Sequence, residues 1–181
     1  MTDTYRDGSE KKRRRMPILP EINDDGRLDA AAKVIFVIVL AAFMLMIYNR
    51  TDAKDVPMSK IEANFIKHTD IEKMAKCDDR QMIQFMKLGT DQLDSYLYYK
   101  SKEALGVEEI LVVKVKSKED IPTISSAAEE RVKSQINVYE SYGPRQVKLL
   151  KGAVIKTKGR YLFYCTSADA DKYEEVFKDS I

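Results

Sequence analysis

The residues of this chain that could carry chemistry are few and scattered. His68 is the only histidine, so a Ser-His-Asp or Cys-His site would have to use it. Its position at the polar end of a short predicted helix favours a solvated side chain instead. Cys77 precedes Asp78, Asp79 and Arg80, which could suggest a reactive thiol or a metal ligand, but no second Cys or His is near in sequence. An aspartate that caps a helix explains this stretch more simply.

Two further patterns also have structural explanations. Asp169 and Asp171 could offer oxygen ligands, but two carboxylates at the start of a helix usually interact with the helix dipole. The seven glycines are scattered singly, so the sequence has no glycine-rich loop to cradle a phosphate. We therefore expect no catalytic residue, no cofactor and no metal site, in a protein that is not an enzyme.

Composition excludes other classes of protein. The 181 residues include 31 basic and 29 acidic side chains, and this near balance argues against a nucleic-acid binder. The two cysteines, Cys77 and Cys165, are too few for a disulfide scaffold in a chain of this size. They could pair outside a membrane, but the sequence favours free, partly buried thiols.

The segment that decides the location of the protein is "AAAKVIFVIVLAAFMLMIYNR", residues 30–50. From Ala30 to Tyr48 it has one charged residue, Lys33, and a helix of this length spans roughly 28 Å, close to the thickness of a bilayer core. A core helix would have a polar side, whereas this run is apolar on every face. Its small pair, Ala41-Ala42, lies in the middle of the run, where cleavage by signal peptidase is not expected. The sequence therefore predicts an uncleaved signal anchor over residues 29–49.

Basic residues near this segment predict its orientation. "KKRRR" at 11–15 and Arg27 precede the run, Lys33 lies in its first turn, and fewer basic residues follow it. The positive-inside rule then leaves residues 1–28 as a cytoplasmic tail and places residues 50–181 outside the membrane. We expect the tail to be disordered and to contact anionic lipid headgroups rather than nucleic acid.

The exported part is predicted to be one α+β domain, residues 59–181, after a juxtamembrane linker at 50–58. The first predicted helix runs from Ser59, its cap, to about Lys67, with Ile61, Phe65 and Ile66 facing inward. A second covers Asp79–Lys87 and is ended by Gly89, and a third covers 117–142 and is ended by Gly143 and Pro144. A last helix is capped by Ser167 or Asp169. Strands are expected at 95–101, at 109–116 and on both sides of a Lys158-Gly159 turn within 153–165. The order ββα-ββα predicts an antiparallel sheet of about four strands with helices packed on one face.

Eight of the ten tyrosines lie in the predicted domain. They could fill a core that lacks tryptophan, or they could form a surface for a partner or a glycan. Tyr161 and Tyr164 fall on opposite faces of one strand, which predicts that some tyrosines lie outside the core.

Residues of about 87–181 resemble a bacterial family, the domain of unknown function 4358. The stretches that carry the resemblance are "EEILVVKVK", "RVKSQINVYESYGP" and "AVIKTKGRYLFYCTSADADKYEEVFK". The resemblance implies an exported or membrane-anchored protein of Gram-positive, mostly clostridial, bacteria, and it adds no catalytic residue. Where relatives are lipid-anchored through a cysteine, this chain has the predicted membrane helix instead.

These features predict a single-pass membrane protein whose non-enzymatic extracytoplasmic domain binds a protein partner in the cell envelope. One alternative is a bitopic component of a cell-division or wall-synthesis complex, which rests on layout alone. Another is an exported hydrolase, which would need His68 in a cleft beside Cys77 or a carboxylate. The candidate partner surface is Tyr142, Gly143, Pro144 and Arg145, because Tyr and Arg are enriched at binding hot spots and a rigid turn lowers the ordering cost. The oligomeric state stays open.

Overall fold

The structure, a computed structural model, describes residues 25–51 and 53–181, with side chains for residues 30–46 and 53–181. The helices of the described residues are α1 (Asp25–Thr51), α2 (Met58–His68), α3 (Asp79–Met86), α4 (Ile121–Tyr139), α5 (Pro144–Lys151) and α6 (Ala170–Ser180). The strands are β1 (Ala75–Lys76), β2 (Leu93–Lys100), β3 (Glu109–Val115), β4 (Val154–Lys158) and β5 (Tyr161–Thr166). Short 3-10 helices, Ile71–Lys73 and Lys118–Asp120, precede β1 and α4.

Helix α1 contains the apolar run and is longer at both ends than the predicted span of 29–49. Of the predicted tail at 1–28, residues 25–28 form the first turn of α1 and the rest lies outside the described residues. The large apolar side chains of α1, from Val34 to Met46, are exposed. Judged on the described residues, none of the helices is both long enough and apolar enough to cross a membrane. The chain divides into two units, Met1–Met44 and Leu45–Ile181.

The second unit is built on a five-stranded antiparallel sheet in the order β1-β2-β3-β5-β4. The apolar, β-branched strand β3 lies at its centre, between β2 and β5, and every residue of β3 is buried. The predicted α+β class and antiparallel sheet are confirmed. The one strand of the sheet that was not predicted is β1, which has only two residues and is therefore too short to show an alternating pattern.

Helices cover both faces of this sheet. On one face α2 and α6 supply Phe65, Tyr173 and Phe177, which pack with Val112 and Phe163 of the strands. On the other face the α3 and α4 residues Met82, Ile124 and Ala128 pack with alternate strand residues such as Leu111 and Tyr164. The prediction of helices on one face is therefore wrong, because the helices on the N-terminal side of β2 divide between the two faces.

This double cover also changes the interpretation of the tyrosines. Tyr161 and Tyr164 do lie on opposite faces of β5, but both are buried, so this strand places neither of them outside the core. The prediction that some tyrosines lie outside the core is confirmed by Tyr142 instead. Tyr98, Tyr99 and Tyr173 are buried as well, whereas Tyr142 is exposed. Most tyrosines of the domain therefore fill the core.

Cys77 and Cys165 are free thiols, as the sequence favoured. Both are buried, and they belong to the clusters on opposite faces of the sheet. Burial raises the pKa of Cys77 to about 11 and that of Cys165 to about 12, so both are protonated and weakly nucleophilic at neutral pH.

Two predicted helix boundaries differ in the first half of the domain. Helix α2 begins one residue earlier, after Pro57, so Ser59 lies inside it and is not its cap, and Ile66 is exposed. Asp78 caps α3 through a reciprocal pair of hydrogen bonds with Gln81. Lys87, which adopts φ 57°, ends α3 before Gly89 is reached.

The predicted long helix at 117–142 is two helices. Helix α4 ends at Tyr139, and α5 follows after a turn. Gly143 has φ −119°, so it is not a left-handed cap, and Pro144 occupies the first turn of α5. The last helix, α6, begins after Asp169, whose side chain makes no capping hydrogen bond. The predicted turn at Lys158-Gly159 is confirmed, with Gly159 at φ 58°.

The chain that follows α1 is fixed to one end of the sheet. Val56 donates its N–H to the Tyr161 hydroxyl at 2.9 Å, and this hydroxyl donates to the Val56 carbonyl at 2.8 Å. Asp55 accepts hydrogen bonds from Lys114 at 2.6 Å and from Arg160 at 3.0 Å. Residues 53–56 are therefore held against the β4–β5 turn.

Gly159 provides a test of this attachment. In Gly159→Ala the added Cβ would lie 2.9 Å from the Ala53 nitrogen, at a positive φ that L-residues disfavour, so we expect a loss of at least about 1–2 kcal/mol in unfolding free energy. Chemical denaturation of the full chain in detergent measures this loss. Gly89→Ala is the matched control, because its Cβ meets no atom within 4 Å and its φ is not positive. Equal stability of the two variants would contradict the packing described for Ala53.

Candidate functional site

The most unusual feature of the domain is a charged cluster around a buried glutamate. Glu109 opens the central strand β3 and is 0% exposed. Its carboxylate accepts hydrogen bonds from Lys100 at 2.5 Å and from Arg131 at 2.5 and 3.2 Å. Longer contacts come from Gln135 at 3.3 Å and the Tyr164 hydroxyl at 3.4 Å. These five residues are called the Glu109 cluster below.

The elements of the fold bring the cluster together from distant positions in the chain. Lys100 ends β2 and is paired with Glu109 in the sheet, while Tyr164 faces the same side from β5. Arg131 and Gln135 are four residues apart in α4, so they lie on one face of this helix. The Glu109 N–H is bound separately by the Thr166 hydroxyl at 2.9 Å.

Electrostatics keep these groups charged despite their burial. Burial alone would raise the pKa of Glu109, but the hydrogen bonds and charges of Arg131 and Lys100 outweigh it and hold the pKa below its ordinary value. Burial disfavours the charged form of Arg131 too, but the Glu109 carboxylate raises the Arg131 pKa. Phe85 lies against both cations, with its ring centre 4.1 Å from Lys100 Nζ and 5.3 Å from Arg131 Cζ.

Two buried polar atoms next to this cluster have no hydrogen-bond partner among the described residues. They are the hydroxyl of Tyr98 and the Oε1 atom of Gln135. Both residues are more than nine-tenths buried. A buried polar atom without a partner costs about 1–3 kcal/mol, so such an atom beside a groove is a point where a ligand group can gain binding energy.

A groove of about 370 Å³, called the α4 groove below, opens onto the cluster. Lys100, Arg131 and Gln135 line it from the cluster, and Glu103 and Val138 line it from the loop at 101–106 and from α4. With the buried Glu109, the two cations and two carboxylates balance. The groove can therefore offer hydrogen bonds and apolar contact, without a surplus of charge for a strongly ionic ligand.

Exposed apolar side chains surround this groove. Leu105, Val138 and Tyr142 are 59%, 56% and 61% exposed, the highest values for large apolar residues in the described part of the domain. Leu105 lies between two residues that line the groove, and Tyr142 packs on Tyr139, which also lines it, with ring centres 5.5 Å apart. We call Leu105, Val138 and Tyr142 the apolar rim.

The residues predicted as a partner surface occupy one side of this region. Tyr142 belongs to the rim, whereas Gly143 is buried against Tyr139 and Pro144 starts α5. Arg145 is exposed and lines a different groove, of about 600 Å³, together with Glu108 and Asp171. The predicted set is thus divided between two neighbouring grooves.

The other candidates for chemistry do not come together. His68 lies at the exposed end of α2 and lines a groove of about 330 Å³ with Glu175 and Asp179, so the carboxylate that the hydrolase alternative requires is present, but none of the residues that line this groove is a Ser, Thr or Cys nucleophile. Cys77 belongs to the core cluster on the face opposite the one that α2 covers. Within the described part of the chain, no three His, Cys, Asp or Glu side chains are grouped as ligands for a metal ion.

Sequence reasoning missed the Glu109 cluster. By helical periodicity Arg131 falls with Glu129, Glu130 and Lys133, opposite the apolar positions of α4, which would place it in solvent, but its side chain is directed at Glu109. The available signal was a glutamate at the head of an otherwise apolar strand, "EILVV", which must find cationic partners if that strand is central.

The structure defines an α+β domain with a charged cluster on one face of its sheet. The chain belongs to the family described as Domain of unknown function (DUF4358), whose model matches residues 67–167, more than half of the chain. This confirms the resemblance, and the match begins earlier and ends earlier than the predicted range. The whole Glu109 cluster lies within the matched residues, whereas α1 and α6 lie outside them. Comparison with curated proteins and with solved structures finds no match.

Proposed function

We propose that this chain is a single-pass membrane protein, anchored by α1, whose extracytoplasmic domain binds a protein partner of the cell envelope without catalysis. The main support is the distribution of exposed apolar side chains. They run along α1, and in the domain the most exposed ones form the apolar rim.

The anchoring part of the proposal rests on α1. Its residues from Val34 to Val39 are about 60% exposed on every side of the helix, with no polar stripe. Apolar surface costs about 25 cal/mol per Å² in water, and a bilayer removes this cost. The sequence continues the apolar run beyond Met46 through Ile47 and Tyr48. The excess of basic residues before α1 supports a cytoplasmic N-terminus.

The apolar rim is at the end of the sheet opposite the one to which residues 55 and 56 are attached. Glu109 pairs with Lys100 and Thr166 at one end, near the loop that carries Leu105. Lys158 pairs with Tyr161 at the other end, where the chain after α1 is attached. With a rise of about 3.3 Å per residue along β3, the two ends are roughly 20 Å apart. The rim therefore lies at the end of the sheet remote from residues 53–56, which precede the domain.

The occupant we propose is a segment of a protein partner with an apolar side chain that covers Val138 and Tyr142 and an N–H donor that reaches Gln135 Oε1. Such a segment would remove exposed apolar area and satisfy a buried acceptor at once. A small anionic ligand fits less well, because Glu103 and Glu109 balance the two cations of the groove.

Site-specific photo-crosslinking in membranes tests this surface. A photoreactive residue at Leu105 and one at Tyr142 are expected to capture the same single protein. The same residue at Lys133, an exposed position on α4 that pairs with Glu130, is the control and is expected to capture none. Mass spectrometry of the product decides between a general envelope partner and the division or wall-synthesis complex.

A substitution in the rim checks that the capture is specific. Val138→Asp is expected to reduce capture from Tyr142 at least about tenfold, because a charge in the centre of an apolar contact costs more than about 1.4 kcal/mol. The melting temperature is expected to change by less than about 2 °C, since Val138 is mostly exposed. Different proteins captured at the two rim positions, or capture insensitive to Val138→Asp, would refute the proposed site. Arg145, which the sequence predicted as part of the partner surface, lies outside this groove. Arg145→Ala is therefore expected to leave both capture and stability unchanged.

A further inference from the structure

A second groove, at the opposite end of the sheet, is lined mainly by lysines. It has a volume of about 590 Å³ and is bordered by Lys118, Lys156, Lys158 and Lys178, with Thr157, Gly159 and Phe177. None of these seven residues is acidic. We call it the lysine groove.

Two of the four lysines that line the groove, Lys156 and Lys158, lie on the edge strand β4. Lys156 is exposed and makes no ion pair among the described residues. Lys158 is half-buried and donates to a main-chain oxygen of Ile181 at 3.1 Å. Lys178 is paired with Glu174 at 2.5 Å and contributes less. Lys156 and Lys158 are two residues apart on a strand, so both point to the same face.

The chain itself keeps this groove near the end of α1. Three helical steps from Tyr48 to Thr51 and two further residues span at most roughly 12 Å, whatever the path of the chain. At that point Ala53 packs against Gly159, next to Lys158. The lysine groove must therefore lie close to wherever the apolar run ends.

We infer that the lysine groove binds the phosphate headgroups of anionic phospholipids in the leaflet where α1 ends. The inference rests on the proposed membrane anchoring, and it adds a second contact, between the domain and the lipid headgroups. A basic side chain near an anionic membrane contributes about a five-fold factor in binding, and this attraction acts over about one Debye length, roughly 8 Å at physiological salt.

The absence of tryptophan from the chain allows a direct test. Thr157→Trp introduces the only tryptophan of the variant, at the strand position between the two lysines. The full chain is reconstituted into vesicles of phosphatidylcholine with a spin-labelled headgroup, with or without roughly 30% phosphatidylglycerol. We expect quenching to increase about two-fold with the anionic lipid, and this increase to disappear in Lys156→Glu/Lys158→Glu and at about 0.5 M salt.

Matched controls make the result specific. Lys133→Glu changes the charge by the same amount as one groove substitution but lies on α4, and it should leave the increase intact. Ala104→Trp reports on the far end of the domain and should show no dependence on anionic lipid. Millimolar glycerol phosphate should not reverse the increase, whereas reversal would indicate a site for a free phosphate and overturn the lipid assignment.

Failure of this inference can be told apart from failure of the anchoring. The Thr157→Trp protein could float with vesicles at high salt and still show the same fluorescence quenching with and without phosphatidylglycerol. In that case the lysine groove does not bind lipid, but the membrane anchor is retained. Lysines that only protect the edge of the sheet would give this result. If the protein does not float with vesicles at all, the membrane anchor itself is refuted.

Discussion

Replacement of Glu109 by alanine is expected to lower the unfolding free energy of the domain by about 3–5 kcal/mol. The carboxylate is fully buried, and its removal leaves the mostly buried cations of Lys100 and Arg131 without a counter-charge. The loss measured is the cost of two unpaired cations rather than the net value of the ion pairs. Chemical denaturation of the full chain in detergent, followed by far-UV circular dichroism, measures it.

The neighbouring residue supplies the control. Glu108 is partly exposed and precedes β3, so Glu108→Gln is expected to change stability by less than about 0.5 kcal/mol. A loss below about 1 kcal/mol for Glu109→Ala would mean that Lys100 and Arg131 find other partners, and it would contradict the cluster as the organising feature of this face.

The same carboxylate predicts how stability depends on pH. The folded pKa of Glu109 lies below its unfolded value of about 4.3. A group of this kind contributes fully at pH values above the unfolded pKa, and its contribution is lost as the pH falls through the folded pKa. The wild-type domain should therefore lose stability below about pH 4, and Glu109→Gln should lack this part of the loss.

Local signals in the sequence predicted much of the sheet. The β-branched and aromatic runs identify β2, β3 and β5, and the Lys158-Gly159 turn identifies the hairpin, because strand propensity and a positive φ are properties of neighbouring residues. The cap at Asp78 was found for the same reason. Elements whose evidence lies within a few residues are thus accessible without a structure.

The candidate site was not accessible in this way. Whether Arg131 faces solvent or Glu109 depends on the face of the sheet that α4 covers, and nothing within α4 specifies that face. Pro144 illustrates a different ambiguity, since proline can follow the end of one helix or begin the next. Lys114 alternates with the apolar Val113 and Val115, a pattern typical of an exposed position, but both faces of the sheet are covered, and Lys114 is buried with Asp55 and Asp94 as its ion-pair partners.

The largest effect is expected for the proposed anchor. Aspartates in place of Ile38 and Leu40 should prevent insertion, since each costs about 2.5–3.5 kcal/mol in the centre of a span against about −0.5 for the residue it replaces, or on the order of 6–8 kcal/mol in total. The protein should then be extracted from membranes by carbonate. Swapping the two residues, Ile38→Leu/Leu40→Ile, keeps the apolar volume and should retain the protein in the membrane.

Cysteine labelling distinguishes insertion from other effects of these aspartates. In otherwise wild-type protein, Lys102→Cys should react with a membrane-impermeant maleimide in cells with a permeable wall, and Ser9→Cys should not. Labelling of the native cysteines should be low, because both are buried. In the double aspartate variant, Lys102→Cys should become protected. The two aspartates distinguish a membrane helix from a helix in water because Ile38 and Leu40 are 61% and 47% exposed and support no protein core. On a helix surrounded by water, each aspartate would cost only the helix-propensity difference of a few tenths of a kcal/mol. If the double aspartate variant behaves like the wild-type protein in both carbonate extraction and cysteine labelling, the anchor is refuted.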